Sequence, residues 1–202
     1  MTDYSQYGEQ EHIIRALVTE QMNPYGSLFF DVGAYHPTDM SNTRALYEAG
    51  WNGVMFEPSP GPIQNIMAEY GDDPRIQLVQ AAVTTIDECG QMLRMRITQD
   101  GLSTDDEANI EKWDGVAKWQ GWCWVPTITI PQILNQFGHA AFWNIDVEGR
   151  SADLFMHLLD LSEPEVICVE HDNRLAEILQ KATAKGYHAV HVNATNAVVA
   201  KR

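Results

Sequence analysis

Apolar and polar positions follow two periods along this chain. Short runs rich in β-branched and aromatic residues read as strands. They alternate with stretches whose apolar residues recur every three or four positions, the order expected of a parallel sheet covered by helices. The pattern predicts a strand at 27–32, a helix at 39–49 stopped by Gly50, a strand at 53–56, and a helix opened by Pro60 or Pro62 and running to Tyr70. A third strand is expected at 76–83. Segments 91–98 and 125–130 alternate apolar and polar side chains, as an antiparallel pair with one wet face would. Between them, 100–124 reads as an irregular, Trp-rich insertion of the length that usually serves as a lid or a binding element. A helix at 131–137, a strand at 141–147, a helix at 151–161, a strand at 165–169 and a helix at 173–185 ended by Gly186 follow. Strands at 187–192 and 197–201 around the turn 193–196 complete the pattern as a hairpin. The expected class is α/β, a mostly parallel Rossmann-like sheet with a C-terminal antiparallel hairpin. The organisation is one domain over 1–202, with 1–26 as an N-terminal cover segment.

Composition narrows the function. With 202 residues, 45% apolar and 20% charged, the chain has one core's worth of ordinary globular sequence. Its 28 Asp and Glu against 13 Lys and Arg give a net charge of −15, which argues against nucleic-acid and anionic-membrane partners. No run approaches the roughly 20 apolar residues of a membrane span. The polar, acidic stretch 1–11 does not look like a secretory signal, so the expected location is cytoplasmic. Cys89, Cys123 and Cys168 lie far apart without a C-x-x-C pair and read as reduced, space-filling thiols.

The chemistry is expected at the carboxyl ends of the strands, where open α/β sheets bind ligands. Several predicted strands end in acids: Asp31, Glu57, Asp146 with Glu148, and Glu170 with Asp172. A dinucleotide-binding turn needs three glycines so that backbone amides can approach a pyrophosphate. The turn Asp31-Val32-Gly33-Ala34-Tyr35-His36-Pro37 keeps only Gly33. A nucleoside without a phosphate fits better: it needs one close approach at Gly33 and a carboxylate, Glu57, to accept from two ribose hydroxyls. That combination points to S-adenosylmethionine.

The residues also resemble the FkbM-type methyltransferases. The likeness runs through Ser5-Gln6-Tyr7-Gly8-Glu9, Asp31-Val32-Gly33-Ala34, Ser41-Asn42-Thr43, Gly50-Trp51-x-Gly53 and Glu57-Pro58. It continues in Gly101-Leu102-Ser103, Thr127-Ile128-Thr129-Ile130-Pro131 and Ile145-Asp146-Val147-Glu148-Gly149. Arg150 departs from the family pattern, as does the Trp-rich insertion. The resemblance implies a class I methyltransferase sheet using S-adenosylmethionine. In that reading the turn from Asp31 through Gly33 to Tyr35, with Asn42, holds the methionyl part; Glu57, followed by Pro58, holds the ribose; and Ala82 passes near adenine. Asp146 faces the methionyl amine or the reacting centre, and Gln6 and Glu9 fold over the cofactor.

Methyl transfer to a hydroxyl needs an aligned nucleophile and a place for its proton. Asp146, Glu148, Glu170 and His171 are the candidate bases. The carboxylates Asp146, Glu170 and Asp172 could instead hold a divalent ion. His36 reads as a turn residue, and His139, His157, His188 and His191 carry no motif. The tryptophans at 113, 119, 122 and 124 could stack on a flat acceptor such as a sugar, though anchoring the insertion is the expectation. The expected activity is O-methylation of a small molecule or glycan. N-methylation of a small amine, and a cofactor-binding module without catalysis, are the alternatives.

Overall fold

The computed structural model describes residues 2–19, 26–98 and 101–202. Asp100 of the insertion and residues 20–25 of the cover segment lie outside the described residues. The chain runs α1 (Glu9–Thr19), β1 (Leu28–Val32), α2 (Arg44–Glu48), β2 (Asn52–Phe56), α3 (Pro60–Tyr70), β3 (Ile76–Val79), β4 (Ala82–Thr84) and β5 (Met92–Ile97). It continues with α4 (Glu107–Trp113), β6 (Gly121–Thr129), α5 (Ile130–Phe137), β7 (Phe142–Ile145), α6 (Ser151–Leu161), β8 (Val166–Glu170), α7 (Leu175–Ala184), β9 (Tyr187–Val192) and β10 (Asn196–Lys201).

The main sheet has seven strands in the order β3-β2-β1-β7-β8-β10-β9. Strands β3, β2, β1, β7 and β8 are parallel, while β10 runs antiparallel between β8 and β9. This is the Rossmann-like sheet with its C-terminal hairpin. The hairpin turn is held by the Asn193 side chain, whose Oδ1 accepts from the backbone of Thr195 at 2.9 Å and Asn196 at 2.7 Å.

Strand order reverses between β1 and β7. From β1 the chain builds outward through β2 and β3, and later elements build the other way from β7, which opens a crevice at their carboxyl ends. The strands are buried on both faces, so successive side chains feed two cores. Phe30, Val54, Trp143 and Ile167 pack with α5, α6 and α7 on one side. Phe29, Met55, Phe142 and Cys168 pack with α1, α2 and α3 on the other. The glycine of β2 serves this packing: a Cβ at Gly53 would stand 2.2 Å from the Phe29 ring.

A smaller sheet, β4-β6-β5, sits above the crevice. Strands β5 and β6 pair antiparallel as the alternation predicts. Its buried face packs Met95, Ile97 and Val125 around Ala82.

Four expectations need correction. The predicted helix at 39–49 shortens to Arg44–Glu48. Met40 turns to φ 56° and Ser41 Oγ accepts from Arg44 N at 3.1 Å, so the preceding residues form a polar loop. The strand predicted at 76–83 breaks after Val79, and Ala82–Thr84 joins the other sheet beside β6. The insertion is less irregular than expected. Asp106 caps a helix by accepting from Ala108 N at 2.7 Å and Asn109 N at 3.2 Å, and β6 begins at Gly121. Finally, the N-terminal segment carries a helix, α1, that the sequence reading did not assign. Among the described residues no helix is long and apolar enough to cross a membrane.

Candidate cofactor cleft and carboxylate cluster

The crevice between β1 and β7 is built around Gly33. Its N–H donates to the Phe56 carbonyl at 2.9 Å, turning the chain sharply after β1. Its φ of 82° suits glycine, and an added Cβ would stand 1.7 Å from the Asp146 carbonyl oxygen. Only glycine lets these two strand ends meet.

Two cavities adjoin at this point and share Gly33, Tyr35, Gly101, Asp146 and Glu148. One, of about 60 Å³, has mostly apolar walls, including Phe56, Pro58, Ala82, Leu93 and Met95, with Glu57 among its lining residues. The other, of about 250 Å³, is polar, bounded by Gln6, Asp31, Ser41, Asn42, Asn144 and Asp146. The roof of both is the Gly101-Leu102-Ser103 segment, fixed by Ser103 Oγ accepting from Thr98 N at 2.9 Å.

Glu57 is buried. Its two carboxylate oxygens accept from Tyr35 N at 3.0 Å and Ser59 N at 2.7 Å. Each oxygen keeps a further lone pair for a ligand in the apolar lobe. Burial pushes the carboxyl up to about 7, against the pull of those backbone donors. Tyr35 adopts φ 41°, a strained conformation that aims its N–H at Glu57.

Asp31 also borders the polar lobe, with each oxygen held by a neighbouring donor. One oxygen accepts from Thr43 Oγ1 at 2.5 Å and the other from Asn144 Nδ2 at 2.8 Å. Burial raises it, and those two donors oppose the rise. Asn144 Oδ1 in turn accepts from Asn42 Nδ2 at 3.0 Å. Asn42 Oδ1, buried at the polar lobe, has no partner. The chain Thr43–Asp31–Asn144–Asn42 thus presents one unpaired acceptor, which suits an ammonium or another donor in the lobe.

Gln6 borders the polar lobe. Glu9 does not: it is fully buried, and its Oε1 accepts from Asn193 and Asn196 at 2.7 Å each. Burial alone would raise Glu9, but these donors and the Tyr7 amide hold it below its usual range. Glu9 therefore pins α1 to the β9–β10 hairpin.

Beyond β7, carboxylate oxygens of Asp146, Glu148 and Glu170 lie within 4.8 Å of one another. Burial and the facing acids push Glu170 far up, so it keeps its proton, which a hydrogen bond to Asp146 shares. Glu148 rises to about 7 by burial and by Asp146, although Lys112 and the nearby Trp113 indole of α4 favour its charged form. Trp113 Nε1 itself closes no hydrogen bond. Asp172 is not part of this cluster, contrary to the suggested ion-binding set: its Oδ2 caps α6 by accepting from Ala152 N at 3.0 Å. His171 is also set apart. Its backbone N–H donates to Thr195 O at 2.8 Å, and it borders a neighbouring recess with Lys112, Asn173 and Glu170. His36 is the turn residue expected, Nδ1 accepting from Asp39 N at 3.0 Å.

Arg150, the departure from the family pattern, ties the insertion down. It reaches Glu88 at 2.7 Å and also pairs with Asp105. Thr104 Oγ1 adds a bond to the Glu148 carbonyl at 2.9 Å. Trp122 and Trp124 do not anchor the insertion by burial, for they stand 46% and 62% exposed. The signals missed in the sequence were the Asp106 cap and the pairing of Asp31 with Thr43 and Asn144.

No family model matches the sequence, and no curated protein matches it either. Among solved structures, the fold is similar to a methyltransferase FkbM from Methylobacillus flagellatus KT, at 14% identity and TM-score 0.47, covering 86% of this chain and 43% of that one. The chain thus spans less than half the length of that protein. It is also similar to a precorrin-6y C5,15-methyltransferase from Geobacter metallireducens GS-15, at 10% identity and TM-score 0.49, covering 100% of this chain and 92% of that one.

Proposed function

We propose that the chain is an S-adenosylmethionine-dependent methyltransferase that acts on a hydroxyl of a small molecule or sugar. The observation that carries this reading is the two-lobed cleft meeting at Gly33, with a buried carboxylate at the apolar lobe and an orphan buried acceptor at the polar one. A nucleobase suits walls made by Phe56, Pro58, Ala82, Leu93 and Met95. Glu57 has lone pairs left for two vicinal hydroxyls, and Asn42 Oδ1 suits the donor of an amino-acid head. No anion cradle is built here, since the turn after β1 carries one glycine.

The cofactor would supply an electrophilic methyl group on a sulfonium. The protein's part is to align an acceptor oxygen with that carbon and to take the oxygen's proton. Asp146 and Glu148 both border the cleft, and Glu148, with its carboxyl pushed up to about 7, is suited to hold a proton at neutral pH. Glu170 steadies Asp146 from behind by the shared proton. No full cationic charge is needed from the protein, because transfer discharges the sulfonium.

Calorimetry of the purified chain with S-adenosylhomocysteine tests the cofactor assignment. Heat of binding, with an affinity that weakens on replacing Glu57, is the expected result. No heat with either S-adenosylhomocysteine or S-adenosylmethionine overturns the reading. Methyl transfer to hydroxyl-bearing acceptors, reduced by Glu148→Gln while cofactor affinity is kept, tests the chemical step.

A further inference from the structure

The small sheet has a second face that the cleft does not use. Leu93 and Met95 of β5 point to the apolar lobe, so their neighbours Met92, Arg94 and Arg96 point outward. On β6, directly opposite, stand Pro126, Trp124 and Trp122. The result is a ladder of arginine against tryptophan on a solvent-facing sheet, with Trp124 62% exposed and Met92 50% exposed.

The charges on this ladder differ from those elsewhere. Arg15, Arg44, Arg75, Arg150 and Arg174 each hold a carboxylate within 2.7 Å. Arg94 and Arg96 pair with no carboxylate among the described residues, although the chain carries 28 acids. Indoles take that place. Arg94 Cζ lies 4.3 Å from the Trp122 ring centre, and Arg96 Cζ lies 5.2 Å from Trp122 and 5.5 Å from Trp119. A guanidinium stacked on a ring keeps in-plane N–H groups for an acid; Arg94 is exposed, while Arg96 is half-buried and its enclosed Nε has no partner.

Strand β5 is also an edge of its sheet. Its outer side is bridged once, between Arg96 and Thr104, and among the described residues no strand lies beyond Met92–Arg94. Cations at alternate positions on the outer face, about 6.8 Å apart, beside an edge open over Met92–Arg94 match an extended peptide with acids at alternate positions. We propose that the outer face of β5 and its edge, open over Met92–Arg94, dock an extended acidic peptide segment of a partner protein, its carboxylates taken by Arg94 and Arg96 and its backbone by the Met92–Arg94 edge. Trp124 packs against the residues between. Single-stranded nucleic acid is the weaker occupant: Arg94 already covers a face of Trp122, and successive bases need bare rings.

The test is calorimetry and tryptophan fluorescence with three probes: a peptide of alternating Glu and Thr, one of alternating Lys and Thr, and oligothymidylate. No cofactor is present, so the outcome is independent of the methyltransferase reading. Binding of the Glu/Thr peptide alone is expected, weakening at least about tenfold between low and high salt. Arg94→Glu with Arg96→Glu should abolish it. Arg94→Lys with Arg96→Lys, which keeps charge but not the fork, should weaken it in part and judges the proposal should the reversal variant not fold. Absence of Glu/Thr binding, an affinity unchanged in these variants, or tighter binding of oligothymidylate overturns the proposal.

Discussion

In the main sheet, β1, β2, β7 and β8 are buried on both faces, and the arginines around them are matched to carboxylates. In the small sheet, one face is buried over the cleft, the other is bare, and the arginines rest on indoles. Both sheets border the same cavity, one as floor and one as roof. The difference teaches which parts are bound to a single sequence solution. The floor brings strand ends so close that side-chain volume is fixed, whereas the roof tolerates outward residues that contribute little to folding.

The largest test is at the floor. Gly33→Ala should destabilise the chain by more than about 4 kcal/mol or leave it unable to bind S-adenosylhomocysteine, because the new methyl meets the Asp146 carbonyl. Denaturant unfolding and calorimetry measure both. Trp143→Ala, in the core beside Phe30, should cost about 3–5 kcal/mol. A small effect at both sites would erase the contrast.

Next is Glu57→Gln. The amide can accept from one backbone N–H but turns its own donors toward the other, so cofactor affinity should fall about ten- to a hundredfold. An unchanged dissociation constant would remove Glu57 from the site.

The pH dependence sharpens the same point. Glu57 and Glu148 are raised from 4.5 to about 7 by burial, and Asp146 and Glu170 are raised too. Between the unfolded and folded values the native chain holds more protons than the unfolded one. Stability therefore falls as pH rises across this window. The thermal midpoint of the free protein should be higher near about pH 5 than near about pH 8, and a flat profile would contradict the buried cluster. Cofactor affinity should run the other way, rising through about pH 7, since ribose hydroxyls donate better to ionised Glu57. Glu57→Gln should flatten that rise.

At the roof the effects shrink. Arg150→Ala should speed protease cleavage within 101–120 several-fold by freeing the insertion from Glu88 and Asp105. Trp124→Ala should change stability by no more than about 0.5 kcal/mol, as expected for an exposed side chain. A loss comparable to that of Trp143→Ala would mean the ladder is part of the core.

The order of strands and helices was legible because apolar runs and glycine or proline stops are local signals. Gly33, Glu57 and the acids after β7 were legible for the same reason, each following a run that ends in polarity. What local pattern could not carry was pairing across the chain. Asp31 borders the polar lobe as a strand-end acid, but the Thr43 and Asn144 donors that hold its oxygens come from other parts of the chain. Asp172 looked like part of the carboxylate cluster, yet it caps α6. The split of 76–83 between two sheets depends on β6, which is distant in sequence. Helix α4 was the exception, since its Asp106 cap was local and readable.

Strand β10 fills the gap between β8 and β9 although it follows both in the chain. During synthesis, then, β8 waits with a bare edge and β9 has no strand beside it until residues 196–201 have emerged. Glu9, made first, finds Asn196 only at that moment. Ribosome-stalled chains of increasing length should therefore gain protease resistance late and in one step, as the final strand slides home and locks the first helix with it.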